Sequence, residues 1–185
     1  MIITISGMPG SGKSTVAKIL ARKLRMKRYY MGGIRREMAR KMGLTIDELN
    51  KLGEKDPASD EKVDSYVKKL AKKDNIIVES RTAFHFIPQS AKIFLDVDLP
   101  EAARRIAKDL KKSSRRNETR YKNAAQALRG LRRRIASDRK RFKKYYGIDC
   151  YDREKYDLLI DTTNVQAMRV AESISKYVKS VGKKV

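Results

Sequence analysis

The sequence predicts an α/β domain of three layers, a mostly parallel sheet covered by helices on both faces. Three observations support this. Short apolar runs alternate with stretches of helical periodicity along the chain. The first run, Ile2-Ile3-Thr4-Ile5-Ser6, passes directly into a glycine-rich turn and then a helix. Later runs end on polar or acidic residues, as buried parallel strands do when functional groups sit at their carboxyl ends. At 185 residues the chain suits one domain and can bury a real core.

Five strands are expected: Ile2–Ser6, Lys27–Tyr30, Ile76–Glu79, Ala91–Val97 and Tyr156–Asp161. The helix after the first strand covers Ser14 to Leu24, with Val16, Ala17, Ile19, Leu20 and Leu24 as its apolar positions. Gly33–Met42 forms the next and Gly43 ends it. Thr45 opens a third helix, since Glu48 three residues on completes a capping box. Ala58–Lys73 and Pro100–Lys111 follow, the second with proline in its first turn. Asn164–Val181 supplies a final amphipathic helix. Residues 112–147 break the alternation. They carry few large apolar residues, Gly130 interrupts them, and the expectation is a mobile lid of helices across the mouth of a site; a fixed helical subdomain is the other reading.

The turn after the first strand is Gly7-Met8-Pro9-Gly10-Ser11-Gly12-Lys13-Ser14-Thr15, which fits G-x-x-x-x-G-K-[ST] in the required strand–loop–helix context. Glycines there let backbone N–H groups surround phosphate oxygens, and the helix N-terminus adds partial positive charge. Lys13 is expected on the β/γ-phosphates, and the Ser14 hydroxyl on Mg²⁺.

Composition narrows the setting. The single cysteine, Cys150, excludes an internal disulfide and a multi-cysteine metal site, and fits a reducing cytoplasm. No run approaches the roughly 20 apolar residues that span a bilayer. The N-terminal stretch lacks the basic start and uninterrupted apolar run of a secretory signal. A formal charge of +23 predicts salt-sensitive attraction to polyanions. Fifteen Lys/Arg between Lys111 and Lys144 face only Glu118 and Asp138. That run is either an arginine surface closing over nucleotide phosphates or a solvated basic face.

Four features choose among P-loop functions. Asn-Lys-x-Asp and Asp-x-x-Gly sequences are absent, which argues against a GTPase. Glu79-Ser80-Arg81 closes the third strand, so Glu79 can hold Mg²⁺ through water while Arg81 grips an acceptor phosphate. Gly32-Gly33-Ile34-Arg35-Arg36 makes a second anion site; neighbours on a helix lie about 100° apart, so one arginine, Arg36, is expected in the cleft. Arg134, Asp138 and Arg141 share a helical face, on which Asp138 either positions arginines for the transferring phosphoryl group or forms a plain salt-bridge ladder. The sole histidine, His85, lies between Phe84 and Phe86 and is read as a packed or base-adjacent residue rather than a catalyst.

Taken in order, these blocks resemble the archaeal-type cytidylate kinases, a branch of the nucleoside monophosphate kinases. The resemblance runs through Gly33-Ile-Arg-Arg-Glu-Met-Ala39, Gly43-Leu-Thr-Ile-Asp-Glu-Leu49, Glu79-Ser-Arg81, Lys92-Ile-Phe-Leu-Asp-Val97 and Tyr145-Tyr-Gly-Ile-Asp149. It implies a P-loop NTPase fold with a five-stranded parallel sheet and a helical lid. It also implies transfer of the ATP γ-phosphate to CMP or dCMP with Mg²⁺. In this reading the core is 1–31, 75–110 and 150–185, the acceptor helices are 32–74 and the lid is about 112–147. Gly7 to Thr15 would hold ATP. Arg36 and Arg81 would meet the acceptor phosphate, and Lys13, Arg134, Arg139 and Arg141 would serve catalysis. Asp60 and Asp64 would contact the cytosine amino group or form a solvated acidic face. Ser80 stands where the family often has glycine. The expected protein is a cytoplasmic monomer with small-molecule partners. The alternatives are an adenylate-type kinase or an RNA- or ribosome-binding P-loop ATPase.

Overall fold

A computed structural model of the chain describes residues 1–112 and 121–182. Its strands are β1 (Ile2–Gly7), β2 (Lys27–Tyr30), β3 (Ile76–Glu79), β4 (Ala91–Asp96) and β5 (Leu158–Asp161). Its helices are α1 (Lys13–Leu24), α2 (Met31–Lys41), α3 (Ile46–Gly53), α4 (Ala58–Leu70), α5 (Ala83–Phe86), α6 (Leu99–Lys112), α7 (Ala124–Tyr146) and α8 (Ala167–Val181). All strand pairs are parallel and the order is β2-β3-β1-β4-β5. The chain reverses its direction of travel across the sheet beside β1. Ligands of open α/β sheets bind beyond the carboxyl ends of strands at such a point. The P-loop sits there.

Strand alternation divides the core. Ile3 and Ile5 of β1, with Ile77, Ile93 and Leu95, pack against Val16 and Leu20 of α1 and Val170 and Ile174 of α8. Ile2, Ile76 and Val78 face the other way, onto Val63, Val67 and Leu70 of α4. The capping box forms as expected, Thr45 accepting from the Glu48 amide and the Glu48 carboxylate accepting from the Thr45 amide. Helix ends shift modestly. α2 begins at Met31, so Gly32 and Gly33 lie inside its first turn, and α8 starts only at Ala167. The four-residue α5 has too short a period to show in the sequence.

The segment expected as a lid or a fixed helical subdomain is described in part. Residues 113–120 of it lie outside the described residues. Most of the rest is one continuous 23-residue helix, α7, and its inner face is core. Ile135 and Phe142 pack with Phe84, Phe94, Tyr151 and Tyr156, while Ala127 and Leu131 pack with Ala102 and Ala103 of α6. Four apolar side chains on one face suffice to seat it, which a count of large apolar residues understates. In this arrangement the inner face of α7 forms one wall of the molecule.

Gly130 does not interrupt α7. A β-carbon there would lie 2.2 Å from the Tyr121 hydroxyl, so the glycine makes room for that ring. Gly130→Ala should therefore lower stability by about 1 kcal/mol through overpacking, although alanine is ordinarily the better helix residue. Thermal unfolding across the four proteins of the cycle checks this: G130A should lower the midpoint of the parent but raise that of Y121A.

Candidate active site

The P-loop is shaped by close backbone approach. Gly7 has φ 136°, and a β-carbon on it would fall 2.1 Å from the Leu95 carbonyl oxygen of β4. Gly12, at φ 80°, turns the chain into α1. Lys13 folds back across the loop and donates to the carbonyls of Gly7 (2.9 Å) and Met8 (2.6 Å). Burial pulls its ammonium well below the usual lysine pKa, Arg81 pulls the same way, and Glu79 opposes both.

Beside it, Ser14 Oγ donates to Glu79 Oε1 at 2.6 Å, and Arg28 Nη2 donates to Glu79 Oε2 at 2.5 Å. The hydroxyl and carboxylate foreseen for Mg²⁺ thus adjoin at the end of β3. No cluster of three or more His, Cys, Asp or Glu able to cage a metal occurs among the described residues. Two hard oxygen donors without a cage suit Mg²⁺, which keeps waters and phosphate oxygens in its shell.

One cavity of about 450 Å³ runs from the P-loop to α2, α4 and α7. Arg104, Arg105, Thr162 and Val165 also line it. Arg105 Nη2 donates to the carbonyls of Thr162 (2.7 Å) and Thr163 (2.8 Å), and Thr162 Oγ1 donates to Ser11 O at 3.1 Å. These contacts tie the exit of β5 to the P-loop.

The opposite wall is a buried network of guanidinium and carboxylate groups. Asp138 Oδ2 receives Arg81 Nε at 2.5 Å and the Tyr151 hydroxyl at 2.7 Å, while Oδ1 receives Arg141 Nη2 at 2.5 Å. Arg141 Nη1 reaches both oxygens of Asp60 at 2.5 Å, and Arg35 Nη1 reaches Asp60 Oδ1 at 2.6 Å. Burial opposes ionisation of Asp138, but Arg81, Arg141 and Arg134 outweigh it and hold the carboxyl far below its ordinary range. Asp64 accepts from Thr82 Oγ1 (2.5 Å) and from the Tyr146 hydroxyl (2.7 Å). Burial raises its pKa, and those two hydroxyls offset part of the rise.

Of the residues singled out in the sequence, Lys13, Ser14, Glu79, Arg36, Arg81, Asp60, Asp64, Arg134 and Arg141 all border this cavity. Three expectations need correction. Arg35 lines the cavity as well as Arg36, because its side chain reaches Asn50 Oδ1 (3.0 Å) and Asp60 across the cleft. Asp60 and Asp64 are not a solvated face: each residue is 4% exposed. Arg139 is outside the cavity and pairs with Asp149 at 3.0 Å on the surface. It follows inward-facing Asp138 by one position, about 100° around the helix. Seven of the nine Lys/Arg on α7 are exposed. Ser80 Oγ turns to Thr82, 3.2 Å from both its hydroxyl and its amide. His85 is exposed, beside Phe86 and Tyr146, and does not border the cavity.

Arg28, Asn50, Tyr151 and Arg105 carry no motif and were not foreseen. Arg28 is the one with a legible trace, a basic residue in a strand whose end borders the cavity.

The sequence profile of the cytidylate kinase-like family matches residues 2–164. Cytidylate kinase of Sulfurisphaera tokodaii is 39% identical over 180 residues, covering 96% of this chain and 94% of that protein. That of Methanocaldococcus jannaschii is 34% identical over 188 residues, covering 99% and 100%. Among solved structures, shikimate kinase from Acinetobacter baumannii superposes with a TM-score of 0.60 at 20% identity, over 97% of this chain and 93% of that one. A protein from Eubacterium ventriosum superposes at 0.68 and 19% identity, over 97% and 99%. At those identities the structural likeness establishes the three-layer P-loop fold alone. The length and level of the sequence matches establish more: this chain belongs to the cytidylate kinase-like family.

Proposed function

We propose that the protein is an ATP-dependent nucleoside monophosphate kinase acting on CMP or dCMP, giving ADP with CDP or dCDP. The observation that carries the reading is a single cavity with two anion-binding walls: the P-loop with Lys13 on one side, and Arg35, Arg36 and Arg81 on the other. The relatives named cytidylate kinase supply the base.

An acceptor phosphate oxygen attacks the γ-phosphorus in line as the bond to the ADP oxygen breaks, so no protein nucleophile is required. The chain's work is positioning and charge neutralisation. The Gly7–Thr15 amides and Lys13 hold the triphosphate, and Arg36 and Arg81 hold the acceptor phosphate. Arg134 offsets charge on the equatorial oxygens. Arg141, 1% exposed between Asp60 and Asp138, serves to hold α4 and α7 in register around the site. Ser14 and, through water, Glu79 would hold Mg²⁺, which supplies further charge neutralisation at the phosphate oxygens. The reading takes the enzyme as a monomer. A cytoplasmic setting is part of this reading, and the free thiol of Cys150 fits it. No helix among the described residues is long and apolar enough to cross a membrane.

Asp64 is the better of the two acidic residues for the cytosine amino group. Asp60 already takes two guanidinium groups, whereas each Asp64 oxygen takes a single hydroxyl and keeps a lone pair. Coupled ADP release with CMP, dCMP, UMP, AMP, GMP and shikimate tests the reading. CMP or dCMP should lead the panel, and an AMP preference would move the assignment to an adenylate-type kinase. Asp64→Asn should cut kcat/KM for CMP about 10- to 100-fold and narrow the gap to UMP, because an amide can also donate.

A further inference from the structure

Tyr30 ends β2 opposite Glu79 in the register with β3, and it borders the cavity. Its hydroxyl accepts from Arg36 Nη1, which also donates to Gly32 O at 2.9 Å. The guanidinium carbon of Arg36 lies 5.3 Å from the Tyr30 ring centroid, and that of Arg28 lies 4.8 Å from it. Both are within the range of cation–π attraction. Arg28 is itself anchored on Glu79.

The glycines that follow are shaped to this ring. A β-carbon on Gly32 would lie 2.9 Å from Tyr30 Cε2, and one on Gly33 would lie 2.8 Å from Cδ1. Any side chain at either position would displace the ring. The Gly32-Gly33 pair is therefore explained by what it admits, an aromatic ring lying over the first turn of α2 and against Arg36.

We propose that Tyr30 is the positioning residue of the acceptor-phosphate site, holding the Arg36 guanidinium at the cavity before the acceptor arrives. This rests on the acceptor-side reading of Arg36. A free arginine side chain surrenders rotamer entropy when it grips a phosphate. One already held by a ring and a hydroxyl surrenders less, and preorganisation of this kind appears as affinity. The effect should fall on the acceptor, since Arg36 meets that phosphate in the ground state and the transition state alike. Loss of such uniform binding raises KM more than it lowers kcat.

Tyr30→Phe removes the hydroxyl and keeps the ring; Tyr30→Leu removes the ring. With the full chain, KM for CMP should rise about 3-fold in the first and about 10-fold or more in the second. The ATP dissociation constant, measured by calorimetry without acceptor, should move less than about 2-fold, a selectivity that general loosening of the fold would not give. Arg36→Ala/Tyr30→Leu should be no worse than Arg36→Ala alone, since the ring then has no guanidinium to place. Unchanged KM for CMP in both Tyr30 variants, a matching rise for ATP, or additive losses in the double variant would each overturn the proposal. Should Tyr30→Leu fail to fold, Tyr30→Phe decides: no rise in its KM for CMP would be overturning. If Arg36→Ala itself leaves KM for CMP unchanged, it is the acceptor-side reading of Arg36 that fails.

Discussion

Lys13→Ala should reduce phosphoryl transfer about 10³-fold or more while leaving the fold intact. The ammonium crosses the P-loop and is held there by the Gly7 and Met8 carbonyls, so its charge is fixed where the phosphates must lie. Removing one preorganised donor from a water-excluded site costs roughly 10²–10³ in rate. Here the donor also carries a full charge, which makes such hydrogen bonds about twice as strong. Stability should change little or rise. Burial lowers the Lys13 pKa, so the unfolded chain binds this proton more tightly than the folded one. Folding is then favoured as pH rises through that depressed value, and neutral alanine relieves the same penalty at lower pH. The expected record is a large fall in coupled ADP release with a thermal midpoint equal to or above the parent. A midpoint well below the parent would mean that Lys13 holds the loop together, and the lost rate would then say little about charge.

The difference between Lys13 and its neighbours also shows what the sequence discloses. The P-loop is legible because its geometry is local: glycine positions, a preceding strand and a following helix are all contiguous. The parallel strands are legible for a related reason, since residues buried on both faces leave an apolar run with a polar terminus. Arg28 and Tyr151 are invisible in this way. Arg28 meets Glu79 from 51 residues away, and Tyr151 meets Arg81 across 70. Only the tertiary fold brings them together. Arg35 was visible but misjudged, because helical phase describes where a Cα points and not how far a long guanidinium reaches. The packing of α7 is hard to read for the converse reason: it has few large apolar residues, and the four that seat it are spread along one face among many charges.

Asp138→Asn should be the most damaging single substitution outside the P-loop, acting on stability and activity together. Asp138 is 2% exposed, and it accepts from Arg81, Arg141 and Tyr151 through its two oxygens. An amide of the same size keeps one acceptor oxygen, loses the charge, and turns an N–H₂ group toward donors that need an acceptor. Breaking a buried ion pair by removing one partner costs about 3–5 kcal/mol, which at this chain length lowers the thermal midpoint by roughly 10 °C. The pH dependence separates this cause from simple mispacking. The Asp138 carboxyl is depressed far below its ordinary range, despite burial, by the surrounding arginines. Its contribution is therefore fully present above the unfolded value near 4 and is withdrawn only as pH falls below it towards the folded value. Parent and variant midpoints should differ by a constant amount between pH 5 and 8 and converge in stronger acid. A gap that already shrinks between pH 7 and 5 would assign the stabilisation to some other group. Activity should fall with KM for CMP as well as kcat, because Arg81 loses the anion that aims it. A variant with parental KM would separate Asp138 from the acceptor side of the cavity.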